Sequence, residues 1–89
     1  MIKNMSIKEK LIKRFKTLPT DFTFEELEKL LKFFGYEKSN KGKTSGSRVI
    51  FKNQEKRPIM IHKPHDGNVI KEYAMRQVYN DLKEAGFLK

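Results

Sequence analysis

Eighty-nine residues, 37% of them hydrophobic, make one small domain with no room for a separate cofactor-binding unit. The absence of cysteine excludes disulfides, thiolate metal sites and a cysteine nucleophile. Twenty Lys and Arg against eleven Asp and Glu leave a formal charge of +9, which favours a polyanionic partner.

Helix signals come first along the chain. Ser6 and Glu9 have the Ser-x-x-Glu spacing of a capping box, and Ile7, Leu11 and Phe15 follow at four-residue intervals until Leu18-Pro19 ends the run. Thr23 and Glu26 form a second box. Phe24, Leu27, Leu30, Leu31 and Phe34 then make one apolar stripe, closed by Gly35.

After Gly35 the pattern turns to strands. Tyr36-Glu37-Lys38 reads as a short first strand, 40–47 as a loop, and Arg48–Lys52 and Pro58–His62 as two strands joined by a hairpin loop over 53–57. A turn at Pro64 and Asp66-Gly67 leads to a last helix from about Asn68 to Ala85. Ile70, Ala74, Val78 and Leu82 lie on one side of it, with Tyr73 and Met75 beside them. Gly86 closes the helix, and Phe87 and Leu88 are expected to fold back on the core. The fold class is therefore α+β, a three-stranded antiparallel sheet with helices on one face and the other face open.

Strand alternation predicts the register of the second hairpin. Burying Val49 and Phe51 with Ile59 and Ile61 places Ile50 opposite Met60 and Arg48 opposite His62 on the open face. A slip of one residue would bury His62 and expose both isoleucines, which the hydrophobic effect opposes. A guanidinium binds phosphate bidentately, and an imidazole, with an ordinary pKa of about 6.5, can give or take a proton near neutral pH. A phosphate over Arg48 and His62 would meet a charge clamp and an acid or base, and His65 could reach the same spot from the following loop. Exposed polar residues with no such role are the plain alternative.

The charge is concentrated on these elements. Between Lys38 and Lys63 stand eight basic residues and one acid, Glu55, which account for +7 of the net charge. Lys41, Lys43, Ser45, Ser47, Arg48, Lys52 and Lys63 are the residues expected to contact the backbone of a polyanion such as RNA, by Coulomb attraction and counterion release. Gly42-Lys43-Thr44 lacks the first glycine of a phosphate-binding P-loop and precedes a strand, so it is not one. The two histidines have no cysteine and only Asp66 near them, so no metal site and no cofactor are expected. No stretch approaches the ~20 apolar residues of a membrane span, and residues 1–10 lack the apolar run of a secretory leader, which makes the cytoplasm the expected location.

In order, Thr23-Phe24-Glu25-Glu26-Leu27, Gly35-Tyr36-Glu37, Gly42-x-x-x-Gly46-Ser47 and Ile61-His62-Lys63-Pro64-His65 resemble the HicA toxin family, the mRNA interferases of HicA–HicB toxin–antitoxin systems. The similarity covers about residues 20–88, so residues 1–19 read as an extra N-terminal helix on a 20–89 core. The resemblance implies a double-stranded-RNA-binding-domain-like α-β-β-β-α core. It also implies metal-independent cleavage of mRNA and neutralisation by a HicB-like antitoxin. The family's usual motif is Gly-Ser-His with a catalytic histidine, and Arg48 stands at that position here. Arginine cannot act as a general base near neutral pH, although it can stabilise charge on phosphate. His62, or else His65, is then the expected proton-transfer group, with Arg48 holding phosphate. Two further readings stay open: a non-catalytic RNA-binding domain of the same fold, and an interaction module that meets an acidic protein.

Overall fold

The computed structural model describes residues 6–39, 48–64 and 68–88. Helices α1 (Ile7–Lys16) and α2 (Phe24–Phe33) are followed by strands β1 (Glu37–Lys38), β2 (Arg48–Lys52) and β3 (Ile59–His62), then by α3 (Glu72–Glu84). The strands lie in the order β1-β2-β3 and both pairings are antiparallel. From α2 onward the order is α-β-β-β-α, consistent with a double-stranded-RNA-binding-domain-like fold, and α1 stands in front of it.

Both expected capping boxes form. Glu9 N–H donates to Ser6 Oγ at 3.1 Å, and Ser6 N–H donates to the Glu9 carboxylate at 3.2 Å. Thr23 and Glu26 repeat the exchange at 3.1 and 2.9 Å. Each box satisfies two of the N–H groups that a helix start leaves without a partner. Thr23→Ala should therefore lower stability by about 1 kcal/mol. Urea unfolding followed by circular dichroism checks this, and an unchanged midpoint would show that the box contributes nothing at this position.

The helices and sheet meet in one core. Phe51, Ile59 and Ile61 are buried beneath the helices, and Val49 is half-buried beside them. Leu27, Leu30 and Leu31 of α2 and Met75, Val78 and Leu82 of α3 close over that face. From α1, Leu11 and Phe15 enter the same core, with the Phe15 ring edge-on to Phe22 at 5.5 Å and stacked on Tyr79 at 5.9 Å. Arg14 ties α1 to the start of α2, donating to Asp21 and Glu26 at 2.8 Å each. Its guanidinium lies 5.0 Å from the centre of the Phe22 ring. After α3, Phe87 stacks on Phe34 at 4.9 Å and Leu88 is buried, so the C-terminal tail does fold back.

Gly35 has φ +90°, a left-handed conformation that terminates α2 without strain only in glycine. The Asn53 side chain donates to the Phe34 carbonyl at 3.0 Å and accepts from the Glu55 and Lys56 amides. A Cβ on Gly35 would lie 3.2 Å from the Asn53 amide nitrogen, a tight contact that would push on this hydrogen-bonded side chain. One side chain thus pins the β2–β3 loop to the end of α2.

Four local expectations are corrected. The last helix begins at Glu72 instead of near Asn68, because the residues ahead of it pair in extended form with the start of α2. Phe24 N–H donates to Asn68 O and Ile70 N–H donates to Phe22 O, each at 2.8 Å. Ile70 is accordingly buried from this extended segment and not from the helix. Tyr73, grouped with the apolar side of that helix, is 66% exposed. Ile7 is also 66% exposed, since the first turn of α1 reaches past the core that Leu11 and Phe15 fill. Tyr36 precedes β1 instead of belonging to it, and its ring is buried.

Candidate functional site

The predicted register is the observed one. Arg48 pairs with His62, Val49 with Ile61, Ile50 with Met60, and Phe51 with Ile59. Alternation puts Arg48, Lys52, Met60 and His62 on the open face, all exposed, with Ile50 half-buried among them. Direct antiparallel partners hold their Cβ atoms about 4.5–5.5 Å apart, so Arg48 and His62 form one local group at the end of the β2–β3 ladder. Among the described residues neither takes part in an ion pair, which leaves the guanidinium available to an anion. The pair can hold a phosphate and transfer a proton beside it.

The other expected RNA contacts do not gather around this pair. Lys52 is on the same face but at the other end of β2, roughly 13 Å from Arg48 at the usual strand rise. It lines a cavity of about 770 Å³ together with Lys38, Lys56, Phe34 and Phe87. The Lys63 ammonium lies 5.7 Å from the centre of the Phe24 ring. It therefore reaches toward the start of α2, the side away from His62. Lys41, Lys43, Ser45, Ser47 and His65 lie outside the described residues.

His62 also borders a second feature, which sequence reasoning missed. A cavity of about 620 Å³ runs between β3 and α3, with Met60 and His62 on one side and Tyr73, Gln77 and Asp81 on the other. The buried Tyr36 and the exposed Lys56 and Arg57 also line it. Gln77 donates to Asp81 Oδ1 at 3.2 Å. Partial burial raises the pKa of the Asp81 carboxyl, the Gln77 hydrogen bond opposes this, and nearby Glu84 adds to it. Burial likewise raises that of the Tyr36 hydroxyl, with a further contribution from the Asp81 charge. No short motif marks these residues, because Tyr36 and Asp81 meet only through packing of α3 against the sheet. The one local signal available is Tyr73, an aromatic on a helix whose buried stripe is already complete with Met75, Val78 and Leu82.

Among the described residues no three His, Cys, Asp or Glu side chains converge in a way that could hold a metal ion. Residues 24–87 match the family described as the HicA toxin of bacterial toxin–antitoxin systems. The chain belongs to the HicA toxin family. No curated protein and no solved structure matches it significantly. The matched segment opens on Phe24, the first residue of α2, and ends on Phe87 of the packed C-terminal tail. Helix α1 therefore precedes the part that carries the HicA likeness, although Leu11 and Phe15 are integral to the core. HicA membership makes the chain a toxin of a toxin–antitoxin system, with an antitoxin as its partner. Among the described residues no helix is long and apolar enough to cross a membrane.

Proposed function

We propose that this HicA toxin binds mRNA and cleaves it without a metal ion, Arg48 holding the phosphate and His62 transferring the proton. The pairing of Arg48 with His62 on the exposed face of the sheet carries this reading. The 2′-hydroxyl of the RNA attacks the neighbouring phosphorus, and the bond to the 5′-oxygen of the next nucleotide breaks. An imidazole accepts the 2′-hydroxyl proton and, as imidazolium, returns a proton to the departing 5′-oxygen, leaving a 2′,3′-cyclic phosphate and a 5′-hydroxyl, while the guanidinium neutralises charge gathering on the phosphoryl oxygens. His65, three residues beyond His62, is the second candidate for proton transfer.

Binding rests on the basic segment from Lys38 to Lys63, and the partner that silences it is a HicB-like antitoxin acting in the cytoplasm. The residues from 20 onward form the nuclease core, and α1 is an addition that covers part of its apolar surface. A second reading follows from Arg48 itself. With no base at that position, the same surface would bind RNA without cutting it.

Expression in a bacterial host tests the proposal. Growth should arrest, recover when the adjacent antitoxin gene is co-expressed, and continue unimpaired with His62→Ala. Arrest that persists in both His62→Ala and His65→Ala would remove the histidines from the mechanism. Tight, salt-sensitive RNA binding without any cleavage would favour the non-catalytic reading.

A further inference from the structure

We propose that the cavity between β3 and α3 is a nucleobase pocket that selects guanine next to the phosphate held by Arg48 and His62. This rests on the RNA-cleavage reading, because it makes the pocket a specificity site for the same substrate.

His62 borders both the open face of the sheet and this cavity. A nucleotide whose phosphate meets His62 can therefore drop its base into the adjoining space without a change in the fold. The cavity offers what a flat heterocycle needs. The Tyr73 ring, 66% exposed on α3, and Met60, 46% exposed on β3, both line it and offer apolar surface to the plane of a base. The volume of about 620 Å³ leaves space for the sugar as well. Asp81 and Glu84 of α3 also line the cavity, so a base whose phosphate stays at Arg48 and His62 meets carboxylates there.

The choice of base follows from hydrogen-bonding direction. A carboxylate only accepts, and its two oxygens suit two adjacent donors. Guanine presents such a pair, N1–H beside the N2 amino group, next to the O6 acceptor. Adenine and cytosine offer one exocyclic amino group next to a ring nitrogen that is itself an acceptor, and uracil places its N–H between two acceptors. Asp81 would therefore repel part of the pairing edge of every base except guanine. The Tyr36 hydroxyl, from a side chain that also lines the cavity, can donate to O6, and the Gln77 amide holds one oxygen of the Asp81 carboxylate. Gln77 gives Asp81 one donor, and guanine would bring two more to a carboxyl whose charge partial burial disfavours.

The test uses the intact chain and the four nucleoside monophosphates, followed by ¹⁵N–¹H NMR titration. Guanosine monophosphate should shift the amides around Tyr73, Gln77 and Asp81 and bind roughly tenfold more tightly than the other three, the discrimination expected of one bidentate contact. Asp81→Asn should abolish that preference while its spectrum stays dispersed, and Tyr73→Ala should weaken all four nucleotides alike. Equal binding of the four, no binding by guanosine monophosphate, or a preference that survives Asp81→Asn would overturn the assignment. Because the readout needs no cleavage, the two ideas fail separately. RNA that is cut by a protein indifferent to guanine sinks the pocket alone, and guanine selection by a protein that cuts nothing sinks the nuclease alone.

Discussion

His62→Ala should reduce RNA cleavage measured in excess EDTA by about 10²–10⁴-fold, the usual effect of removing a general acid or base. The side chain is exposed and its loss leaves the buried face of β3 intact, so thermal unfolding should stay within ~0.5 kcal/mol of the parent protein. Arg48→Ala should lower cleavage by roughly 10²–10³-fold, as expected when one electrostatic contact to a developing charge is lost. Arg48→Lys should restore only part of this, since a point charge cannot replace a two-pronged donor. Arg48→His is the more pointed variant, because it restores the family's usual histidine opposite His62. If cleavage rises above the parent level, the parent site is a weakened form of the ordinary one. Full activity in both His62→Ala and His65→Ala would end the proton-transfer assignment.

The second large effect lies at the other end of the chain. Phe15→Ala should destabilise the protein by about 3–5 kcal/mol, the typical cost of emptying a buried phenylalanine site. Phe15 is fully buried, edge-on to Phe22 and stacked on Tyr79 of α3, so its removal opens a hole bordered by elements from both ends of the chain. For a domain of this size the loss is a large part of a total stability of ~5–15 kcal/mol. Denaturant unfolding measures it directly. Although the HicA match begins only at Phe24, α1 is thus expected to be indispensable to folding. A Phe15→Ala protein that unfolds within ~1 kcal/mol of the parent would show that α1 is a detachable addition.

Much of this architecture is legible in the order of the residues. Two capping boxes, at Ser6 and Thr23, marked helix starts that form as expected, since the box is a contact between residues three apart. The alternation of Val49 and Phe51 with Arg48, Ile50 and Lys52 set the strand faces. Combined with Ile59 and Ile61, it left one pairing that gathers Val49, Phe51, Ile59 and Ile61 on the core side. The pairing of Arg48 with His62 follows from that register, so half of the candidate site could be derived from residue order.

Where α3 begins could not be derived in the same way. The apolar spacing of Ile70 and Ala74 is helical, but Asn68 to Ile70 instead complete a bridge to Phe22–Phe24, a partner more than forty residues away. A long-range hydrogen-bonded contact overrode a local periodicity. The basic residues show the same limit. Sequence grouped Lys52 and Lys63 with Arg48, whereas distance along β2 separates Lys52 and alternation turns Lys63 toward the Phe24 ring.

The sequence by itself determined the element order, the caps, the register and therefore the Arg48–His62 pair, because each depends on contacts within a few residues or on the period of a strand. Only the tertiary structure decided that α1 completes the core, that Ile70 is buried from an extended segment, and that Tyr36, Tyr73 and Asp81 enclose a cavity beside His62. These depend on how whole elements pack, and a cavity is the space left between them, for which no stretch of sequence carries a pattern.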